Sequence, residues 1–202
     1  IDRSIFKNNK VVSNFNSYGG ALALEKPTKV TNSLILNNSI NMVNTSNYYQ
    51  TQGGGVHLRL FEVGFNNFSY TGKHEFINNT VVGNKSITAF NTAAETGGLH
   101  VQSSQSGTFW IFNNIFHSNQ QSKGINESAN SNLFIDGNGN GYVSNNNIQY
   151  ASQMDFQQYW NKNDSYDLNP GFVDSSQQNF QLYDGSRMLG AGATSIGTGS
   201  NL

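Results

Sequence analysis

Two histidines carry the sharpest chemical signal in this chain. His57 and His100 each stand two residues past a glycine cluster, in Gly53-Gly54-Gly55-Val56-His57-Leu58 and Gly97-Gly98-Leu99-His100-Val101. Arg59 and Gln102 follow at the next same-side positions. If the two segments are strands stacked in register, the four residues form one outward row. Such a row could bind a polyanionic sugar, and in a lyase these residues could take the proton alpha to a uronate carboxylate while a cation neutralises that carboxylate. His57, Arg59 and His100 are therefore the catalytic candidates, although a polar ladder on a solvated face explains the same spacing and is preferred. His74 and His117 do not fall at matching positions and have local roles.

Binding chemistry has a second source in aromatic rings. Tyr48 and Tyr49 lie in one inter-strand stretch, and Phe61, Phe65, Phe68 and Tyr70 in the next. Sugars stack on exposed rings and hydrogen-bond to flanking amides, so Tyr48, Tyr49, Phe65 and Tyr70, with Gln102, are the candidate glycan contacts. Packing of these loops onto the body of the protein is the plainer alternative. Glycoside hydrolysis needs two facing carboxylates, and Glu62, Glu75, Glu95, Glu127 and Asp136 share no repeated register. No acidic cluster is dense enough for calcium, so calcium stays open as a cofactor without support, and no metal site is assigned. Cysteine is absent, which removes thiolate sites and disulfides. No phosphate loop, HExxH or GxSxG pattern occurs.

What must position these residues is a repeat. Two asparagines, a spacer and an apolar residue recur at Asn8-Asn9, Asn37-Asn38, Asn78-Asn79, Asn113-Asn114 and Asn145-Asn146, at intervals of 29, 41, 35 and 32 residues. A short apolar strand precedes each pair. Glycine clusters open a second strand after the first three, and Asn132-Leu133-Phe134-Ile135 takes that place in the fourth. No single unit closes a core, so neighbours must stack. Asparagine tolerates left-handed backbone and bonds locally, which suits a corner, and stacked amides can form a ladder. These demands predict an all-β fold: a right-handed single-stranded parallel β-helix of about five coils, with strands about 4.8 Å apart. A β-sandwich would not repeat one dipeptide five times. Intervals longer than one turn predict loops within 41–52, 61–73, 83–96 and 120–131.

Composition agrees. Charged residues are 11% of the chain and the net charge is −1, with no basic stripe to suggest nucleic acid and no acidic block to suggest a solvating tail. Thirty-two asparagines and 21 glycines stand beside 14 Phe and 9 Tyr, enough apolar surface for a core. No apolar run is long enough to span a bilayer.

Gly19-Gly20-Ala21-Leu22 and Phe6-Lys7-Asn8-Asn9 resemble the GGA[ILV] and FxxN repeats of polymorphic outer-membrane proteins. Phe76-Ile77-Asn78-Asn79 and Phe116-His117-Ser118-Asn119 also match FxxN. The run Asp167-Leu168-Asn169-Pro170-Gly171-Phe172-Val173-Asp174 is similar to the closing segment of bacterial β-helix surface proteins, with Asn169 in place of the usual Asp. The resemblance implies the pectate-lyase-like β-helix superfamily and an extracellular or cell-surface location in a bacterium. Coils over 1–149 and a capping segment with tail over 150–202 are expected, together with further coils or another chain against the N-terminal end. It implies two functions: a non-catalytic, adhesin-like module presenting loops to a polysaccharide, surface glycan or protein, or a polysaccharide lyase or glycoside hydrolase. The sparse carboxylates favour the first.

Overall fold

The computed structural model describes residues 1–43, 49–60, 72–89, 94–103, 107–123, 127–137, 139–150, 167–191, 195–196 and 200–201. The protein is all-β and its strands are mostly parallel, with no helix among the described residues. Strands pair with the strand five places later in the chain, so successive units lie one above another in five stacks.

The first stack contains Ile5–Lys7, Leu34–Leu36, Thr80–Val82, Ile115–His117 and Asn147–Ile148. The second holds Lys10–Ser13, Ser39–Met42, Lys85–Thr88 and Gln120–Lys123, and the short third holds Ser17–Tyr18, Thr51–Gln52 and Ala94–Thr96. The fourth is Leu22–Leu24, Val56–Leu60, Leu99–Ser103 and Leu133–Gly137. The fifth is Lys29–Thr31, Lys73–Ile77, Thr108–Phe112 and Asn140–Ser144. We call one round of five strands a rung.

Alternation along each strand decides what is buried. Ile35, Val81, Phe116 and Ile148 of the first stack meet Val30, Phe76, Ile111 and Val143 of the fifth and Val56, Leu58, Leu99 and Val101 of the fourth in one core. Each such side chain contributes roughly 1.5–3 kcal/mol by leaving water. Gly141 is part of this packing, because a Cβ there would fall 2.0 Å from the Phe109 ring that lies over it. Glycine clusters serve close approach elsewhere: a Cβ on Gly54 would sit 2.3 Å from the Lys85 carbonyl.

The corners correct the expected register. Doubled asparagines do not mark one corner five times; they mark two corners, five residues apart in every rung. Left-handed backbone falls at Arg3 and Asn8, Asn32 and Asn37, Asn78 and Gly83, Asn113 and Ser118, and Asn145 and Tyr150. The doublet stands at the second corner in the first two rungs and at the first corner in the last three. Equivalent residues are therefore 46 apart between Asn38 and Asn84, and the interval between doublets shortens to 41 because the doublet moves earlier in the rung.

Behind the left-handed residues Asn37, Asn78, Gly83, Asn113, Ser118 and Asn145 stands a buried asparagine, and with Asn9 and Asn132 these form two amide ladders. In one, Asn9 Nδ2 donates to Asn38 Oδ1, Asn38 to Asn84, Asn84 to Asn119, and Asn119 to Asn132, at 2.8–2.9 Å. In the other, Asn79 donates to Asn114 and Asn114 to Asn146, at 3.1 and 2.9 Å. The same oxygens accept the backbone N–H of the rung before, as Asn84 Oδ1 does from Asn38. The second Nδ2 proton goes to a carbonyl, as from Asn84 to Ile35. Burial without loss of hydrogen bonds is what makes these amides stabilising.

Of the stretches expected to loop out, 83–96 contains the strand Lys85–Thr88, and 120–131 is an antiparallel hairpin whose second strand, Glu127–Asn130, lies on Gln120–Lys123. The expected cap falls partly on 151–166, outside the described residues. Beyond it, Leu168 N donates to Asn147 Oδ1 and Asn147 Nδ2 to the Leu168 carbonyl. A hairpin of Phe172–Asp174 and Asn179–Leu182 follows, its Phe172 ring against His117 at 5.9 Å. This hairpin lies along the flank of the first stack.

Candidate functional site

The fourth stack brings the predicted histidines together. His57 is the register partner of His100, and Arg59 of Gln102. They project away from the core-facing Val56 and Leu58, yet both imidazoles are buried, His57 to 1% and His100 to 0% exposure, where a solvated row was expected. The rings join a column: Tyr18 to His57 at 4.9 Å, His57 to His100 edge-on at 5.1 Å, and His100 to Phe134 at 5.3 Å. Among the described residues neither nitrogen of His57 has a hydrogen-bond partner. Burial, then the charge of Arg59 and the nearby His74, lowers the His57 pKa to about 4. Burial, then His57, lowers that of His100 to about 3. Both rings are neutral at pH 7, desolvated and weakly basic. Within the column they pack against Tyr18, each other and Phe134.

Arg59 and Gln102 are half-buried at the edge of this column. Arg59 Nη1 lies 3.8 Å from Glu25 Oε1, and Gln102 Nε2 donates to Asp136 Oδ2 at 3.3 Å. His74 is buried on the core side, its Nε2 3.2 Å from the Arg59 carbonyl. Tyr49 packs edge-on against Phe15 at 5.5 Å. Tyr48, Phe65 and Tyr70 lie outside the described residues. Among the described residues no group of three or more His, Cys, Asp or Glu could hold a metal ion.

The fifth stack presents a second row that motif reading missed. Lys29 pairs with Glu75, Glu75 with Trp110, and Trp110 with Tyr142, one residue per rung on the outer face. Glu75 takes Lys73 Nζ at 2.7 Å and Lys29 Nζ at 3.1 Å. Partial burial raises its pKa, but the hydrogen bonds from Lys73 and Lys29 outweigh it, so the carboxylate is held below its ordinary value. Lys73 Nζ also sits 3.1 Å from the Trp110 ring centroid, a cation–π contact. Tyr142 stands edge-on to Trp110 at 6.4 Å and is 55% exposed. Beneath this row Ile77 and Phe112 form a small buried cluster with Trp110, which holds the indole in place.

A signal for the row was present. Lys29, Glu75, Trp110 and Tyr142 each stand three residues before a left-handed asparagine, at 32, 78, 113 and 145. Aligning the second rung on Asn37 instead of Asn32 hid it. Among the described residues no helix is long and apolar enough to cross a membrane. Comparison with protein-family models, with curated proteins and with solved structures finds no match in any of the three. The pectate-lyase-like resemblance therefore rests on the motifs and the parallel strand pattern alone.

Proposed function

We propose that the chain is a right-handed parallel β-helix serving as a non-catalytic, extracellular surface module that holds a glycan on the outer face of its fifth stack. The observation that carries this reading is the aligned row of Lys29, Glu75, Trp110 and Tyr142. It combines an exposed ring, a second ring fixed by Lys73, and charged hydrogen-bonding groups, one per strand spacing of about 4.8 Å. Aromatic faces with a few convergent polar groups are what sugar recognition needs. The motif resemblance to displayed β-helices supports the location.

Calorimetry of a polysaccharide panel tests it. Tyr142→Ala removes the exposed ring without touching the core and should weaken a bound glycan about tenfold, on the order of 1.4 kcal/mol, at unchanged melting temperature. Equal affinity in wild type and variant would sink the binding face. Turnover of any polysaccharide to unsaturated products, lost in His100→Ala at retained fold, would make the protein a lyase instead.

A further inference from the structure

The chain passes from the fourth stack into the last strand of the fifth through Asp136-Gly137-Asn138-Gly139-Asn140-Gly141. Packing fixes all three glycines. A Cβ on Gly137 would fall 1.9 Å from the Ser103 carbonyl oxygen, one on Gly139 2.0 Å from the Ser103 hydroxyl oxygen, and one on Gly141 2.0 Å from the Phe109 ring. The core therefore imposes glycine after Asn140. Asn140 itself is exposed, and its carboxamide takes no hydrogen bond among the described residues.

An asparagine followed by glycine is the pair most prone to closing a ring on itself, because glycine has no side chain to obstruct attack by its backbone nitrogen. Here that nitrogen is also open. The Asn140 N–H donates to the Gly107 carbonyl at 2.8 Å, so by the alternation of a parallel ladder the Gly141 N–H points the other way. On that side the strand has no sheet neighbour among the described residues, since it ends the stack. The corner asparagines differ on both counts. Asn37, Asn78 and Asn113 are each followed by asparagine, and the N–H of that next residue is held by a ladder oxygen: Asn38 N by Asn84 Oδ1, Asn79 N by Asn114 Oδ1, Asn114 N by Asn146 Oδ1. A nitrogen so held is not free to lose its proton and attack. Ring closure at Asn140 asks only that one peptide turn out of the sheet at the first residue of an edge strand.

We infer that Asn140 is a site of spontaneous deamidation in the folded protein. Hydroxide takes the Gly141 amide proton, the nitrogen bonds to Asn140 Cγ, and the Cγ–Nδ2 bond breaks to release ammonia. Water then opens the cyclic succinimide. Cleavage at Cγ gives aspartate, and cleavage at the main-chain carbonyl gives isoaspartate, in which the chain runs through the side-chain carbons. Water is consumed and ammonia released, with no change of oxidation state. Either product puts a carboxylate on the outer face beside Tyr142. Isoaspartate also lengthens the main chain by a methylene, which shifts Tyr142 against its register partner Trp110. The reaction does not depend on a glycan occupying the aromatic row.

Incubation of the full chain from neutral to mildly alkaline pH, followed by peptide mapping, tests it. The peptide carrying Asn140 should gain about one dalton, and enzymatic methylation of the free α-carboxylate should identify the isoaspartyl form. The gain should rise with pH and precede any change at Asn78 or Asn113. It should be absent from Asn140→Gln, whose longer side chain would have to close a larger ring. Fragment ions separate Asn140 from Asn138, the other asparagine that precedes glycine. Urea below the unfolding midpoint should leave the rate unchanged, because the site is already open in the folded chain. An Asn140 still intact in the native protein when the urea-unfolded chain has lost it overturns the inference. So does a gain confined to Asn138, or a rate that climbs with each addition of urea below the midpoint.

Discussion

Two buried polar regions of this protein are built on opposite terms. In the corner ladders, Asn38, Asn79, Asn84, Asn114, Asn119 and Asn146 are buried with their amides bonded to another asparagine of the ladder and to a carbonyl behind. In the fourth stack, His57 is as deeply buried but neither of its nitrogens has a hydrogen-bond partner among the described residues. The amide has no proton to gain in the ordinary pH range, so its burial is compatible with any pH. The imidazole is stable there only while it stays neutral. Polar burial is thus neither stabilising nor destabilising in itself; satisfaction and titration decide.

The largest effect should come from breaking the satisfied side of that contrast. Asn84→Ala removes the acceptor of both Asn38 donors and the donors to Asn119 Oδ1 and the Ile35 carbonyl. We expect a loss of about 3 to 5 kcal/mol, several unsatisfied groups at once, read by urea denaturation. A loss below about 1 kcal/mol would show that the ladder is not what holds the corner.

The histidine side should break with pH instead. His57 has a folded pKa near 4 against an ordinary 6.5, so the unfolded chain binds the proton first as pH falls. Its contribution is fully present above pH 6.5 and is lost progressively down to about pH 4, about 3 kcal/mol in all. His57→Phe, the residue type that Phe134 already supplies two rungs along this row, should flatten that part of the stability profile. Identical pH slopes for variant and wild type, after the shared carboxylate contribution cancels, would show that His57 is not desolvated.

The smallest effect sharpens what the corner itself asks for. Asn37 has φ 51°, and Gly83 holds the same position one rung later at φ 68°. Asn37→Gly should therefore change stability by only a few tenths of a kcal/mol, while Asn37→Val should cost roughly 1–2 kcal/mol for the left-handed backbone. Equal losses, measured by thermal unfolding, would mean that the Asn37 side chain matters more than its backbone.

The all-β character, the stacking and the pairing of His57 with His100 were legible because glycine clusters and asparagine corners follow backbone geometry, which repeats. Burial of those histidines was not, since alternation says which side a residue faces and not whether that side is covered. The aromatic row was hidden for a more particular reason. Asn32-Ser33 and Gly83-Asn84 are corners without the doublet, so counting doublets merged two registers into one.

The hairpin at Gln120–Lys123 has a kinetic meaning. It lets Asn132 close the ladder on Asn119 across 13 residues, where the step from Asn38 to Asn84 spans 46. Closing the shorter span saves about 1 kcal/mol of chain entropy. The C-terminal rungs are therefore the least expensive place for a first ladder contact to form, and rungs that arrive later dock onto an edge whose acceptors are already aligned.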